Sequence, residues 1–189
     1  RTAMRIFLAL SLPDPVTSRL ADTVRRLEPE ASEVLWSRKE QFHVTLAFLG
    51  ETAPAILPHL TDACGRVCAA CPPFPCRARG LGFFGSKRTP RTLWAGVDPV
   101  PELMALREAL WQTLPKFGFA DNATHFRPHI TLGRCREGSR NLRLIEVMDA
   151  DDPAEYGSWR VQRVTLYESR PSSRGSSYRA VSPLPLAAD

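Results

Sequence analysis

The hydrophobic and polar positions of this chain fall into short blocks that change period often. Residues 4–12 are rich in Ile, Phe and Leu with little alternation, which predicts a strand buried on both faces. Asp14 and Pro15 then read as an N-cap and first helical residue, and Val16, Leu20, Val24 and Leu27 follow at helical spacing up to Pro29. Residues 34–37 and 42–49 are strand candidates, split by the polar Arg38, Lys39, Glu40 and Gln41 and closed by Gly50. A second helix is predicted over 54–70, with Pro58 as an alternative start. Residues 74–84 and 91–97 read as a hairpin around the turn 85–90. Asp98 and Pro99 open a third helix carrying Leu103, Leu106, Leu110 and Leu114, and a loop containing Gly and Asn leads to the strand that holds His129. After Gly138 come a short helix over 141–148, an acidic loop over 149–152, and two strands over 159–168 and 177–184 joined by the polar linker 170–176. No interval reads as a domain linker. This irregular alternation predicts an α+β fold of mostly antiparallel sheet in one domain spanning 1–189.

One tetrapeptide occurs twice in the strand pattern, as His43-Val44-Thr45-Leu46 and as His129-Ile130-Thr131-Leu132. Side chains alternate across a strand, so His43 and Thr45 share one face and Val44 and Leu46 the other, and the second copy repeats this. With ordinary residue usage, a second match arises by chance in below roughly 1% of chains of this length. The copies lie nearly half a chain apart, which suits two similar lobes meeting at a pseudo-twofold axis. Two histidines across such a cleft form a natural acid–base pair, because imidazole titrates near neutral pH. Hydrolysis of a phosphodiester needs that division of labour: one group activates water and the other protonates the departing oxygen. The hydroxyls of Thr45 and Thr131 supply donors to phosphate oxygens, and no cofactor or metal ligand set is required. Arg134 has no counterpart in the first copy, where Phe48 stands at the matching position. Strict alternation turns Arg134 away from the cleft, but Gly133 permits a bend that brings its guanidinium onto a phosphate. His59 and His125 have no such echo and read as surface or capping residues.

Composition adds bounds rather than a direction. The balance of 25 Lys+Arg against 20 Asp+Glu, a net +5, leans towards an anionic partner and falls far short of a basic tail. No apolar run approaches bilayer-spanning length. Residues 1–3 read as extraneous, with Met4 as the natural start of a chain without a signal peptide. A cytoplasmic monomer is expected. Of the five cysteines, Cys64, Cys68, Cys71 and Cys76 crowd together. That spacing could hold zinc or an iron–sulfur cluster, but Cys64 and Cys68 at i and i+4 of a helix read better as small buried hydrophobes.

The doubled motif resembles the two-histidine phosphoesterase superfamily. Within it, the chain is similar to the LigT/ThpR-type RNA 2′,3′-cyclic phosphodiesterases, also called 2′-5′ RNA ligases. The likeness extends to the opening Met4-Arg5-Ile6-Phe7-Leu8, the block from Phe42 through Gly50, Leu93-Trp94-Ala95-Gly96-Val97, the block from Arg127 through Arg134, and the closing Leu166-Tyr167-Glu168-Ser169. It implies a bilobal α+β fold with two pseudo-symmetric lobes, helices outside and a central cleft. It implies metal-independent opening of RNA ends bearing a 2′,3′-cyclic phosphate to 2′-phosphomonoesters, with weak reverse 2′-5′ ligation. In that scheme His43 is the acid protonating O3′, His129 the base acting on water, Thr45, Thr131 and Arg134 the phosphate ligands, and Arg127 and Phe42 further substrate contacts. The cysteine cluster lies outside the family pattern. Three other readings stand beside this one: a cyclic phosphodiesterase of small nucleotides such as ADP-ribose cyclic phosphate, a non-catalytic RNA-binding module, and a metalloprotein built on the cysteines.

Overall fold

The computed structural model describes residues 2–121, 125–150, 154–173 and 175–189. Part of the loop before His129, part of the acidic loop, Arg174 of the polar linker and Arg1 lie outside the described residues. The chain opens with β1 (Met4–Ser11), buried from Ile6 to Leu10 on both faces, as its lack of alternation predicts. Next comes α1 (Asp14–Leu27), which buries Val16, Leu20, Val24 and Leu27. Its cap is Pro13 rather than Asp14, whose carboxylate pairs with Lys39 at 2.7 Å. Then follow β2 (Val34–Trp36), β3 (His43–Thr52), α2 (Leu57–Ala69), β4 (Phe74–Gly85) and β5 (Pro90–Val97). A 3-10 turn over Pro54–Ile56 leads into α2, which places Pro58 in its first turn. The third helix, α3 (Pro101–Thr113), starts later than Asp98, which is drawn instead to Arg79 at 2.9 Å.

The last part is β6 (His129–Cys135), α4 (Leu142–Ala150), β7 (Glu155–Val161), β8 (Arg163–Ser172) and β9 (Gly175–Pro185). Here one predicted strand, 159–168, is in fact parts of two strands belonging to different sheets. The polar pair Gln162 and Arg163 interrupts the apolar positions where the chain changes sheet. The linker 170–176 is largely the tip of the β8–β9 hairpin, since pairing continues out to Ser172 opposite Gly175.

Two antiparallel sheets result, in the orders β3-β1-β8-β9 and β2-β6-β5-β4-β7. Without the three-residue β2, each is four strands with a histidine strand at its edge. Helices α2 and α3 pack on the first sheet, and α1 and α4 on the second. The α2–α3 layer buries Leu60, Cys64, Cys68, Leu103, Leu106 and Leu110. Each fully buried leucine of that layer contributes about 1.5–3 kcal/mol of hydrophobic stabilisation. Cys76 of β4 joins the same core, and burial pushes the thiols of Cys64, Cys68 and Cys76 up to about 11, about 12 and about 12. These three cysteines pack as hydrophobes. Among the described residues no group of three or more His, Cys, Asp or Glu is arranged to hold a metal ion, and no helix is long and apolar enough to cross a membrane.

Candidate active site

The site starts from a backbone irregularity shared by β3 and β6. Along β3, Ser11, Leu10 and Ala9 pair with His43, Val44 and Thr45, and the register then jumps to Leu8 opposite Ala47. Leu46 is thus an extra residue, a β-bulge. Along β6, Gly96, Ala95 and Trp94 pair with His129, Ile130 and Thr131, and the register jumps to Leu93 opposite Gly133, leaving Leu132 extra. The bulges fall on the final leucine of both tetrapeptides.

A bulge puts two consecutive residues on the core face. Leu46 and Ala47 are both buried, as are Leu132 and Gly133. The following residue therefore returns to the histidine face, and this brings round both Arg134 and Phe48. Arg134 reaches the cleft through the bulge at Leu132, not through a bend at Gly133. Gly133 serves a different need: a Cβ there would stand 2.8 Å from Val34 Cγ1 and 3.0 Å from Trp36 Cε3 of β2. Phe48 is 52% exposed, with the Arg5 guanidinium over its ring at 4.9 Å. Sequence pattern does not reveal it, because only the bulge turns a position five past the histidine towards the cleft.

Both imidazoles are held alike. Nδ1 of His43 donates to the Gln41 carbonyl and Nδ1 of His129 to the Arg127 carbonyl, each at 2.7 Å. A carbonyl only accepts, so the hydrogen sits on Nδ1 and Nε2 of the neutral ring is left as a base. Thr45 Oγ1 lies 2.8 Å from Nε2 of His43 and donates to it, while Nε2 of His129 has no partner among the described residues. The surroundings differ. His43 sits against Phe7 and Tyr178, with ring centroids 4.9 and 5.2 Å away. His129 takes the edge of Phe84 at 4.9 Å, with Trp94 at 6.4 Å. Trp94 in turn lies flat over Gly82, where a Cβ would come within 2.2 Å of the indole.

Burial is the main electrostatic force on both rings. It pushes the pKa of His43 down to about 4, against the raising effect of the Gln41 carbonyl, with the charges of His129 and Arg134 lowering it further. His129 is also lowered, by burial first and then by the cations Arg134 and Arg127. At neutral pH both rings of the protein by itself are therefore uncharged. Arg134 lowers both histidines through its charge, so its guanidinium is within electrostatic reach of both rings, and it has no carboxylate partner among the described residues.

A cavity of about 460 Å³ opens beside these groups, lined by Thr45, Phe48, Phe84, Phe126, Arg127 and His129. His125 also lines it, so that residue belongs to the cleft rather than to an unrelated surface. Arg127 contributes in two ways, through the carbonyl that orients His129 and through a side chain over the Trp94 ring at 5.3 Å. Phe42 does not belong here. It is 5% exposed in the core, because it shares its strand face with Val44 and Leu46 rather than with His43.

Two Nε2 atoms, two threonine hydroxyls and a guanidinium that has no carboxylate partner among the described residues have the donor and proton-transfer chemistry that suits a small tetrahedral anion. The model of the 2′-5′ RNA ligase superfamily matches residues 12–172, and the chain belongs to that superfamily. An RNA 2′,3′-cyclic phosphodiesterase of Geobacillus stearothermophilus is 30% identical to it over 91% of this chain and 55% of that protein, so the chain spans about half of that relative. Another, of Thermotoga maritima, is 30% identical over 94% of this chain and 93% of its own length. Among solved structures, one from Thermus thermophilus shares 27% identity and a TM-score of 0.82, covering 97% of this chain and 98% of its own. E. coli LigT complexed with 3′-AMP has a TM-score of 0.78 at 22% identity, covering 98% and 99%, and speaks for the fold alone.

Proposed function

We propose that this protein hydrolyses the 2′,3′-cyclic phosphate at the end of an RNA strand to a 2′-phosphomonoester. The observation that carries this reading is the pair of equivalent bulges, each presenting a histidine with its Nε2 as the basic nitrogen and a threonine beside it, with the charge of Arg134 felt by both rings. The shared name of the Geobacillus and Thermotoga relatives supports it. Arg134, Thr45 and Thr131 hold the non-bridging phosphate oxygens. One imidazole removes a proton from water as it attacks phosphorus, and the other protonates O3′ as the P–O3′ bond breaks. Following the family resemblance, His129 takes the first role and His43 the second. The bound phosphate carries a negative charge, which raises the pKa of the ring that must donate and offsets the lowering by burial and cations. The cavity beside Phe48 and Phe84 accepts the terminal nucleoside, whose base stacks on an aromatic face.

Joining of 2′-5′ ends is the same cleavage of the P–O3′ bond with a 5′-hydroxyl in place of water as the nucleophile and needs no activating nucleotide, so in competition with water it runs as a minor side reaction. The test is incubation of a 2′,3′-cyclic-phosphate oligonucleotide with the protein in chelator, followed by identification of the phosphomonoester. A 2′-phosphate is expected. His43→Ala and His129→Ala should each lower kcat by about 10²–10⁴. Near-wild-type turnover in either variant, or a 3′-phosphate product, overturns the paired mechanism.

A further inference from the structure

A second cavity, of about 660 Å³, adjoins the catalytic one, and the two share Phe84, His125, Phe126 and Arg127 as a common wall. Its size falls within the roughly 300–1,000 Å³ of ligand-binding pockets. Beyond the wall the lining adds Trp94 and the ring of Pro128 and includes no carboxylate among the described residues. Aromatic faces and a cation dominate it.

The two arginines near that wall differ in how their donors are used. Arg107 stands over Phe126 at 4.7 Å and is tied to Asp121 at 2.8 Å. Arg127 stands over Trp94 at 5.3 Å, is exposed, and has no ion pair among the described residues. Its N–H groups are therefore available to an anion at the junction of the two cavities. Aromatic rings and the outer face of a guanidinium both accept a nucleobase whatever its identity. Thr45 and His129 line the first cavity, and Arg127 stands on the wall that it shares with the aromatic one. Two adjoining cavities with a cation on their common wall match an RNA end, in which the linking phosphate joins the terminal nucleoside to the penultimate one.

We propose that the second cavity binds the penultimate nucleoside of an RNA strand, with Arg127 on the phosphate that links it to the terminal one. The protein then selects oligonucleotide ends over mononucleotide cyclic phosphates. This inference rests on the cyclic-phosphate reading above.

The test compares kcat/KM for adenylyl-(3′-5′)-adenosine 2′,3′-cyclic phosphate with that for adenosine 2′,3′-cyclic phosphate. In the wild type the dinucleotide should be favoured by about tenfold or more, the scale of one base stacked on an aromatic face. Phe126→Ala and Arg127→Ala should each reduce that ratio by about fivefold or more, whereas Phe126→Tyr, which retains the ring, keeps it. Because Arg127 is exposed, its variant tests the idea even if Phe126→Ala does not fold. Equal turnover of the two substrates by the wild type, or a ratio untouched by Arg127→Ala, overturns the proposal. Binding of the dinucleotide 2′-phosphate against 2′-AMP, followed by tryptophan fluorescence, makes the same comparison without chemistry. Failure to hydrolyse either substrate therefore overturns the cyclic-phosphate reading, while the binding ratio still decides the second cavity.

Discussion

His43 and His129 make the same hydrogen bond to the carbonyl two residues before them, and the tautomer this sets leaves Nε2 as the basic nitrogen of each neutral ring. Burial then holds both rings neutral in the free protein. The paired mechanism needs one ring protonated, and a lowered pKa means that this proton is lost as pH rises through a value below the ordinary 6.5 of histidine. The alkaline limb of kcat/KM, which reports the free enzyme, is therefore expected below pH 6.5. The limb of kcat, which reports the complex, should lie higher, because the substrate anion raises the same pKa. Arg134→Ala removes a cation that lowers both rings, so it should move the kcat/KM limb upward while cutting activity by about 10²-fold. Initial-rate profiles from about pH 4 to 9 measure both effects. A limb that stays in place in Arg134→Ala would mean that the guanidinium does not reach the imidazoles.

At the scale of the element, the two bulges decide what each strand presents. A regular β6 would place Arg134 with Ile130 on the core face, and a regular β3 would do the same with Phe48. The sequence carries both residues at equivalent positions, five past each histidine, yet alternation alone points them the wrong way. An extra residue in a ladder depends on the partner strand, so it leaves no local signature in hydrophobic pattern. Gly133 marks where β2 closes on β6, and Gly133→Val should drive side-chain atoms into Val34 and Trp36. The expected loss is about 1–3 kcal/mol of stability in urea unfolding, with activity reduced through displacement of Arg134. Unchanged stability would show that β2 can move away freely.

The whole molecule repeats one plan twice and then departs from it. Both sheets carry a histidine strand, a bulge and a covering pair of helices, but β2 extends only the second, and the residues after the bulges are Phe48 in one lobe and Arg134 in the other. One lobe thus offers an aromatic face and the other a cation. The cysteine cluster belongs to the shared core and not to this cleft. Thiol reagents should label the partly exposed Cys71 and Cys135 of the native protein first. The buried Cys64, Cys68 and Cys76, whose thiols are held near 11 to 12, should react only on unfolding. Rapid labelling of all five in the native state would contradict the packing described here.

Local pattern is enough to read the fold class, most element positions and the sharing of one strand face by each histidine and its threonine. Those features rest on periodicity and on a repeated tetrapeptide, both of which survive without knowledge of neighbours. Asp14 and Asp98 do not cap their helices because each carboxylate meets a cation elsewhere, Lys39 and Arg79, that the local sequence does not announce. The single strand expected over 159–168 became two because sheet membership is set by pairing partners far along the chain. The core position of Phe42 already follows from its alternation with Val44 and Leu46, but it took the assembled molecule to turn Arg134 and Phe48 to the cleft and to gather Trp94, Phe126 and Arg127 into a second cavity beside it. Each of those outcomes depends on register between strands distant in sequence, and register is a property of the whole sheet.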